Sequence, residues 1–157
     1  MESDFYTAFD IAQTGYRDWP DTVVAVVLFL GCAAAIYFWG RNDRDARALK
    51  IILWSIFAVI LSFVGLIQGA AFLQYVELKK NALHDSETTT GHIAYLKQRL
   101  GEGEFGVNGR EFFFSDKRKP LRYGYQQNDF QLQPTYLVRV TSVDGVIVKL
   151  EVHNVHF

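Results

Sequence analysis

Two stretches without a single charge decide what this chain can become. Thr22–Gly40 runs for 19 residues and Ile51–Val76 for 26, and neither contains Asp, Glu, Lys or Arg. A helix rises about 1.5 Å per residue, so about 20 apolar residues cross the ~30 Å hydrocarbon core of a bilayer. Both runs qualify, and the second is long enough to tilt or to project beyond the lipid. A buried hairpin in a soluble protein is the competing reading, but soluble core helices rarely exceed about 14 apolar residues without a charge. The ends carry interface markers: Trp19 before the first run, Tyr37 and Trp39 closing it, Trp54 and Tyr75 near the ends of the second. Such rings favour the headgroup level because they join an apolar body to one polar group.

Composition then excludes classes. Sixteen Lys and Arg oppose seventeen Asp and Glu, for a net charge of −1. That balance argues against a strongly basic nucleic-acid binder and against an acidic disordered chain. One Cys, Cys32, lies inside the first run, which excludes a disulfide framework or a cysteine zinc site. Orientation follows from the loop 41–50, which gathers Arg41, Arg44, Arg47 and Lys50. The positive-inside rule puts this loop in the cytoplasm and both termini outside it, in the periplasm if the membrane is a bacterial inner membrane. The first 21 residues form an acidic tail. Phe5, Ala8, Phe9, Ala12 and Tyr16 recur at helical spacing there, so the tail is either an interfacial helix lying on the membrane or unstructured.

After the second span the pattern changes. Residues 77–87 read as a helical extension and linker. Residues 88–157 are rich in β-branched and aromatic residues and in turn signals, with a first strand at Thr88–Leu100 whose Ile93, Tyr95 and Leu100 are expected to face a core. Asn108-Gly109 marks one hairpin and Asp144-Gly145 another, with 115–134 between them as a long loop or irregular strand. About five short strands must curl or close to hide their edges, so the expectation is a small barrel of the OB or SH3 kind. The fold class is therefore a membrane helical hairpin plus a small all-β domain. In the terminal hairpin, an apolar face requires Val138, Val140 and Tyr136 to oppose Leu150, Val148 and Val152. That register implies a three-residue loop, Val143–Gly145, ending in a bulge, with Arg139 opposite Lys149.

Gly91-His-Ile-Ala-Tyr, then Phe105-x-Val-Asn-Gly-x-x-Phe-x-Phe-Ser-Asp116, then Val138-x-Val through Val148-x-Leu-Glu-Val152, resembles a group of uncharacterised small bacterial two-span membrane proteins with a C-terminal β domain. More loosely, helices followed by a small barrel are similar to the NfeD-like arrangement, although no motif particular to that family is present. The resemblance implies a fold and no activity.

The census of chemistry is short. There is no G-x-S-x-G, no H-E-x-x-H and no phosphate loop. His84, His92, His153 and His156 read as strand-end and tail residues, so no catalytic residue, metal or cofactor is expected. In the spans, Gly31 and Ala35, and Ser62, Gly65 and Gly69, are small residues at helix-packing spacing, suited either to the hairpin itself or to self-association. Ser55, Ser62 and Gln68 are candidates for interhelical hydrogen bonds. Lys117, Arg118, Lys119, Arg122, Tyr123 and Tyr125 form the basic and aromatic cluster outside the membrane loop, a candidate contact for a partner or for lipid headgroups. The expected function is a non-enzymatic, membrane-anchored module that presents its β domain to a protein partner, with no nucleic acid involved. The alternative is an oligomeric channel or transport accessory, disfavoured by the absence of ionisable residues in the spans.

Overall fold

The computed structural model describes residues 4–42 and 47–153, with side chains described outside 39–50. Arg41, Arg44, Arg47 and Lys50, on which the orientation rests, therefore have side chains outside the described residues, as does His156. The chain divides into two units. Arg17–Leu73 forms one, and the chain up to Tyr16 folds together with the chain from Gln74 onward.

The first unit is the helical hairpin. Helix α1 covers Trp19–Asn42 and helix α2 begins at Arg47. Pro20 sits in the first turn of α1, where its missing N–H costs no helical bond, and Asp21 complements the positive helix end. Both helices are long and apolar enough to cross a membrane, and neither span is buried within the protein. The Phe29 and Phe57 rings stack at 3.8 Å, and the Thr22 hydroxyl lies 3.3 Å from the Gln68 side-chain oxygen. Gln68 thus meets the expectation of an interhelical contact. Ser55 and Ser62 instead donate to their own helix four residues back, to Ile51 and Ala58 at 2.8 and 2.9 Å. A hydroxyl on a helix satisfies itself locally this way.

Helix α2 continues to His84, so most of the expected linker is helical. The second unit follows with strands β2 (Glu87–Arg99), β3 (Glu102–Val107), β4 (Arg110–Ser115), β5 (Leu137–Val143) and β6 (Val146–His153). These five close in the cyclic order β2-β3-β4-β6-β5, all antiparallel except β4 against β6. The expected small closed barrel is present.

The tail departs from both readings of the sequence. Phe5–Asp10 is a strand, β1, antiparallel to β6, and neither an interfacial helix nor an unstructured tail. The reason is a gap in the barrel. Strand β4 touches β6 only at Phe113↔Val146, leaving the rest of that β6 edge without a ladder. Strand β1 supplies it from Lys149 to His153, and its Phe9 and the following Ile11 are buried. Unpaired buried backbone groups are costly, and this pairing removes them.

Both hairpins turn as tight two-residue loops. Asn108-Gly109 and Asp144-Gly145 have positive φ at both positions (49° and 76°; 48° and 79°), the geometry that matches strand twist. The second therefore overturns the expected three-residue loop, since Val143 pairs with Val146. The apolar face survives by another route. Val148 is an extra residue in β6, a bulge between Ser142↔Ile147 and Thr141↔Lys149, and beyond it Val140 opposes Leu150 and Val138 opposes Val152. The shift also puts Arg139 opposite Glu151, 3.6 Å away, instead of opposite Lys149. A second bulge at Ala94 corrects another expectation. Ile93 opposes Val107 but Tyr95 opposes Gly106, so the alternation flips and Tyr95 faces outward while Ile93 stays buried. Leu100 lies in the β2–β3 turn and is 95% exposed.

Closure by β1 has a measurable consequence. Both spans separate Ile11 from every barrel strand in sequence. Ile11→Ala should nonetheless destabilise the barrel unit by about 2–5 kcal/mol in chemical denaturation of the purified protein. Tyr6→Ala, at a half-exposed position of β1, should cost less than half as much.

Candidate functional site

The barrel interior is filled. Phe105, Phe112 and Phe114 pack ring against ring, with Phe105 to Phe112 at 5.6 Å and Phe114 to Tyr125 at 5.4 Å. Val138, Val140 and Leu150 complete the interior, each with no exposed surface.

The basic and aromatic cluster divides. Residues 116–136 are irregular apart from one 3-10 turn at Leu121–Tyr123. Tyr123 and Tyr125 are 2% and 1% exposed, so they are core side chains rather than contacts for a partner. Tyr125 donates its phenol to the Phe130 carbonyl, and its own N–H bonds Ile147 O at 3.0 Å. Burial, reinforced by nearby Asp129, pushes its phenol well above the usual tyrosine range. Tyr123 forms a triangle with Tyr16 and Tyr75, ring centroids 5.7–5.9 Å apart. The Tyr75 phenol also donates to Thr14 O at 2.7 Å. Lys117, Arg118 and Lys119 are exposed and Arg122 is half-buried.

A surface groove of about 360 Å³ runs over the outer side of β2, β3 and β4, walled by Arg118 and Leu121. Lys97, Arg99, Glu102 and Glu104 give it mixed charge, and Phe113 lies in it 44% exposed. Lys97 bonds Glu104 at 2.6 Å, a contact that raises the lysine pKa. Phe113 was not among the sequence candidates, yet alternation marks it: Phe112 and Phe114 point inward, so the middle ring of the run must point out.

The other candidates stay apart. A Cβ added at Gly31, Gly65 or Gly69 would meet nothing within 4 Å, so the hairpin does not use these small residues for its own packing. Ala35 and Ser62 are likewise exposed. Two of the histidines make local contacts: His92 Nδ1 lies 2.9 Å from Thr135 O, and His153 meets the Phe5 ring edge-on at 5.3 Å. Among the described residues no group of three His, Cys, Asp or Glu is placed to hold a metal ion.

No family model, no curated protein and no solved structure matches this chain. Phe105, Val107, Phe112, Phe114 and Ser115 are buried, and Asn108-Gly109 forms the turn between them. The Asn108 amide further ties this turn to Thr90 O at 2.5 Å. The pattern specifies a hairpin and its core.

The division of the basic and aromatic cluster is testable by denaturation. Tyr125→Ala should cost about 3–5 kcal/mol, the range for removing a buried ring, whereas Lys119→Ala should change stability by less than about 0.5 kcal/mol. The raised Tyr125 pKa adds a pH signature with a definite sign. Its contribution to stability is fully present below its unfolded value of 10.0 and is lost as pH climbs through the higher folded value.

Proposed function

We propose that this chain is a membrane-anchored interaction module whose helices hold the barrel unit at one face of a bilayer, where its outer surface meets a protein partner. The observation that carries the reading is the ladder between β1 and β6. Strand β1 precedes α1 and β6 follows α2, yet they are hydrogen-bonded neighbours. They lie on one side of any membrane, which demands an even number of crossings, and two apolar helices supply two. The density of Lys and Arg in 41–50 favours the cytoplasm for the loop, and so the periplasmic side of a bacterial inner membrane for the barrel.

The partner surface we assign is the groove beside Phe113. An exposed aromatic ring flanked by charges of both signs has the make-up of an interface anchor within a polar rim. The filled interior supports binding on the outside rather than chemistry within. The cyclic order, with a single parallel contact between the third and fifth barrel strands, favours the OB kind over the SH3 kind, and such barrels commonly bind through their outer faces. The unused small residues Gly65 and Gly69 favour association with a second copy as part of the same module.

Three measurements bear on this reading. In a Cys32→Ala background, Leu100→Cys should be labelled by a membrane-impermeant thiol reagent from outside the cell and Asn42→Cys should not; the reverse pattern sinks the orientation. A photo-crosslinker at Phe113 should capture one discrete protein in native membranes, and one at Thr88 should not. Gly65→Leu with Gly69→Leu should abolish any oligomer seen in mild detergent, and an oligomer unchanged by both substitutions excludes that face.

A further inference from the structure

The Tyr16–Tyr75–Tyr123 triangle places a second surface. Tyr75 lies in the last turn of the charge-free run, which ends at Val76, so its ring marks the level at which α2 leaves the hydrocarbon. Its contact with Tyr123 at 5.9 Å brings the 3-10 turn to that level. The chain just before Tyr123 is coiled: Tyr123 N bonds Pro120 O at 3.0 Å and Arg122 N bonds Arg118 O at 2.7 Å. The segment Lys117–Arg122 is therefore drawn in beside the membrane end of the helix.

Its charge is one-sided. Four of its six residues are Lys or Arg and none is acidic. Lys117, Arg118 and Lys119 are exposed, and none of the three makes an ion pair with a described residue. One turn beyond Tyr75 on α2, Lys79 lies over the Tyr75 ring at 5.9 Å and Lys80 is exposed, with Glu77 the one acid among them. We infer that the Lys117–Arg122 segment docks on anionic phospholipid headgroups at the surface from which α2 emerges. This rests on the membrane reading proposed above and names a second ligand of the module. Arg118 and Leu121 also border the groove beside Phe113, but the exposed cations that lead the segment favour lipid over a protein interface core. Protein interface cores are depleted in lysine and built on aromatic anchors, and here the two tyrosines that follow, Tyr123 and Tyr125, are buried. Exposed cations near a bilayer gain instead from the negative potential of anionic lipids.

The test uses the full chain in nanodiscs of phosphatidylcholine, alone or with about one-third phosphatidylglycerol, read by hydrogen exchange of the amides from Lys117 to Tyr123. Exchange should slow about fivefold or more in the anionic discs, and the difference should vanish in about 0.5 M salt. Substituting Lys117→Gln, Arg118→Gln and Lys119→Gln together should also abolish it. Should the substituted protein fail to fold, the salt and lipid comparison on the unaltered chain still decides. Equal exchange in both discs with the protein fully inserted overturns the inference and leaves the membrane reading intact. Failure of the protein to stay in bilayers through alkaline extraction removes that reading and the inference with it. Slowing that survives the triple substitution moves the effect to Lys79 and Lys80. Slowing that appears only with a bound protein assigns the segment to a partner; both of these results overturn the inference.

Discussion

The open edge of β6 is the constraint on which the rest of the barrel unit depends. Strand β5 pairs with one side of β6 along its length, but β4 reaches the other side at one position. Everything beyond must be satisfied from elsewhere. The Tyr125 N–H takes Ile147 O, the Ile11 N–H takes Val148 O at 2.9 Å, and β1 pairs with the remainder. The long loop after β4 and the tail before α1 thus converge on one seam. Their convergence explains why Tyr125, Phe9 and Ile11 are buried although none belongs to a barrel strand.

The same seam ties the fold to its setting. In the membrane setting proposed above, a tail that must reach β6 lies on the same side of the bilayer as β6, so barrel closure goes with an even number of crossings. Tyr16 and Tyr75 stand where the chain passes into and out of the helical unit, and both pack on Tyr123. The clasp they form brings a basic segment toward the end of α2 and leaves the groove beside Phe113 on the outer barrel wall. In the reading proposed above, the first of these surfaces meets headgroups and the second a partner.

Bulges decide what alternation alone leaves undecided. Strands β1, β2 and β6 carry one each, at Ala8, Ala94 and Val148. Each adds a residue, and each reverses which face the next side chain takes. In β6 the bulge lets Val146, Ile147 and Val148 all be buried in succession, which no flat strand permits. It also reconciles two local demands that conflict without it: Asp-Gly prefers a two-residue turn, and Val138 and Val140 require apolar partners. A small barrel needs strong local curvature, and bulges provide it.

The two apolar helices, the β character of the C-terminal half, the positions of the Asn-Gly and Asp-Gly hairpins and the outward phase of Phe113 were legible in the chain. Each depends on hydropathy or on neighbours within a few residues. The role of the tail, the length of the Asp-Gly loop and the register behind it, the outward turn of Tyr95 and the burial of Tyr123 and Tyr125 were not. They depend on an edge left open by strands that lie beyond both helices in sequence, on bulges whose cause is curvature, and on a loop whose basic residues hide the core rings between them. Local pattern reports which side chains seek burial. The closed barrel alone settles which of them find it, because closure determines where backbone partners are missing and which segment comes to fill the gap.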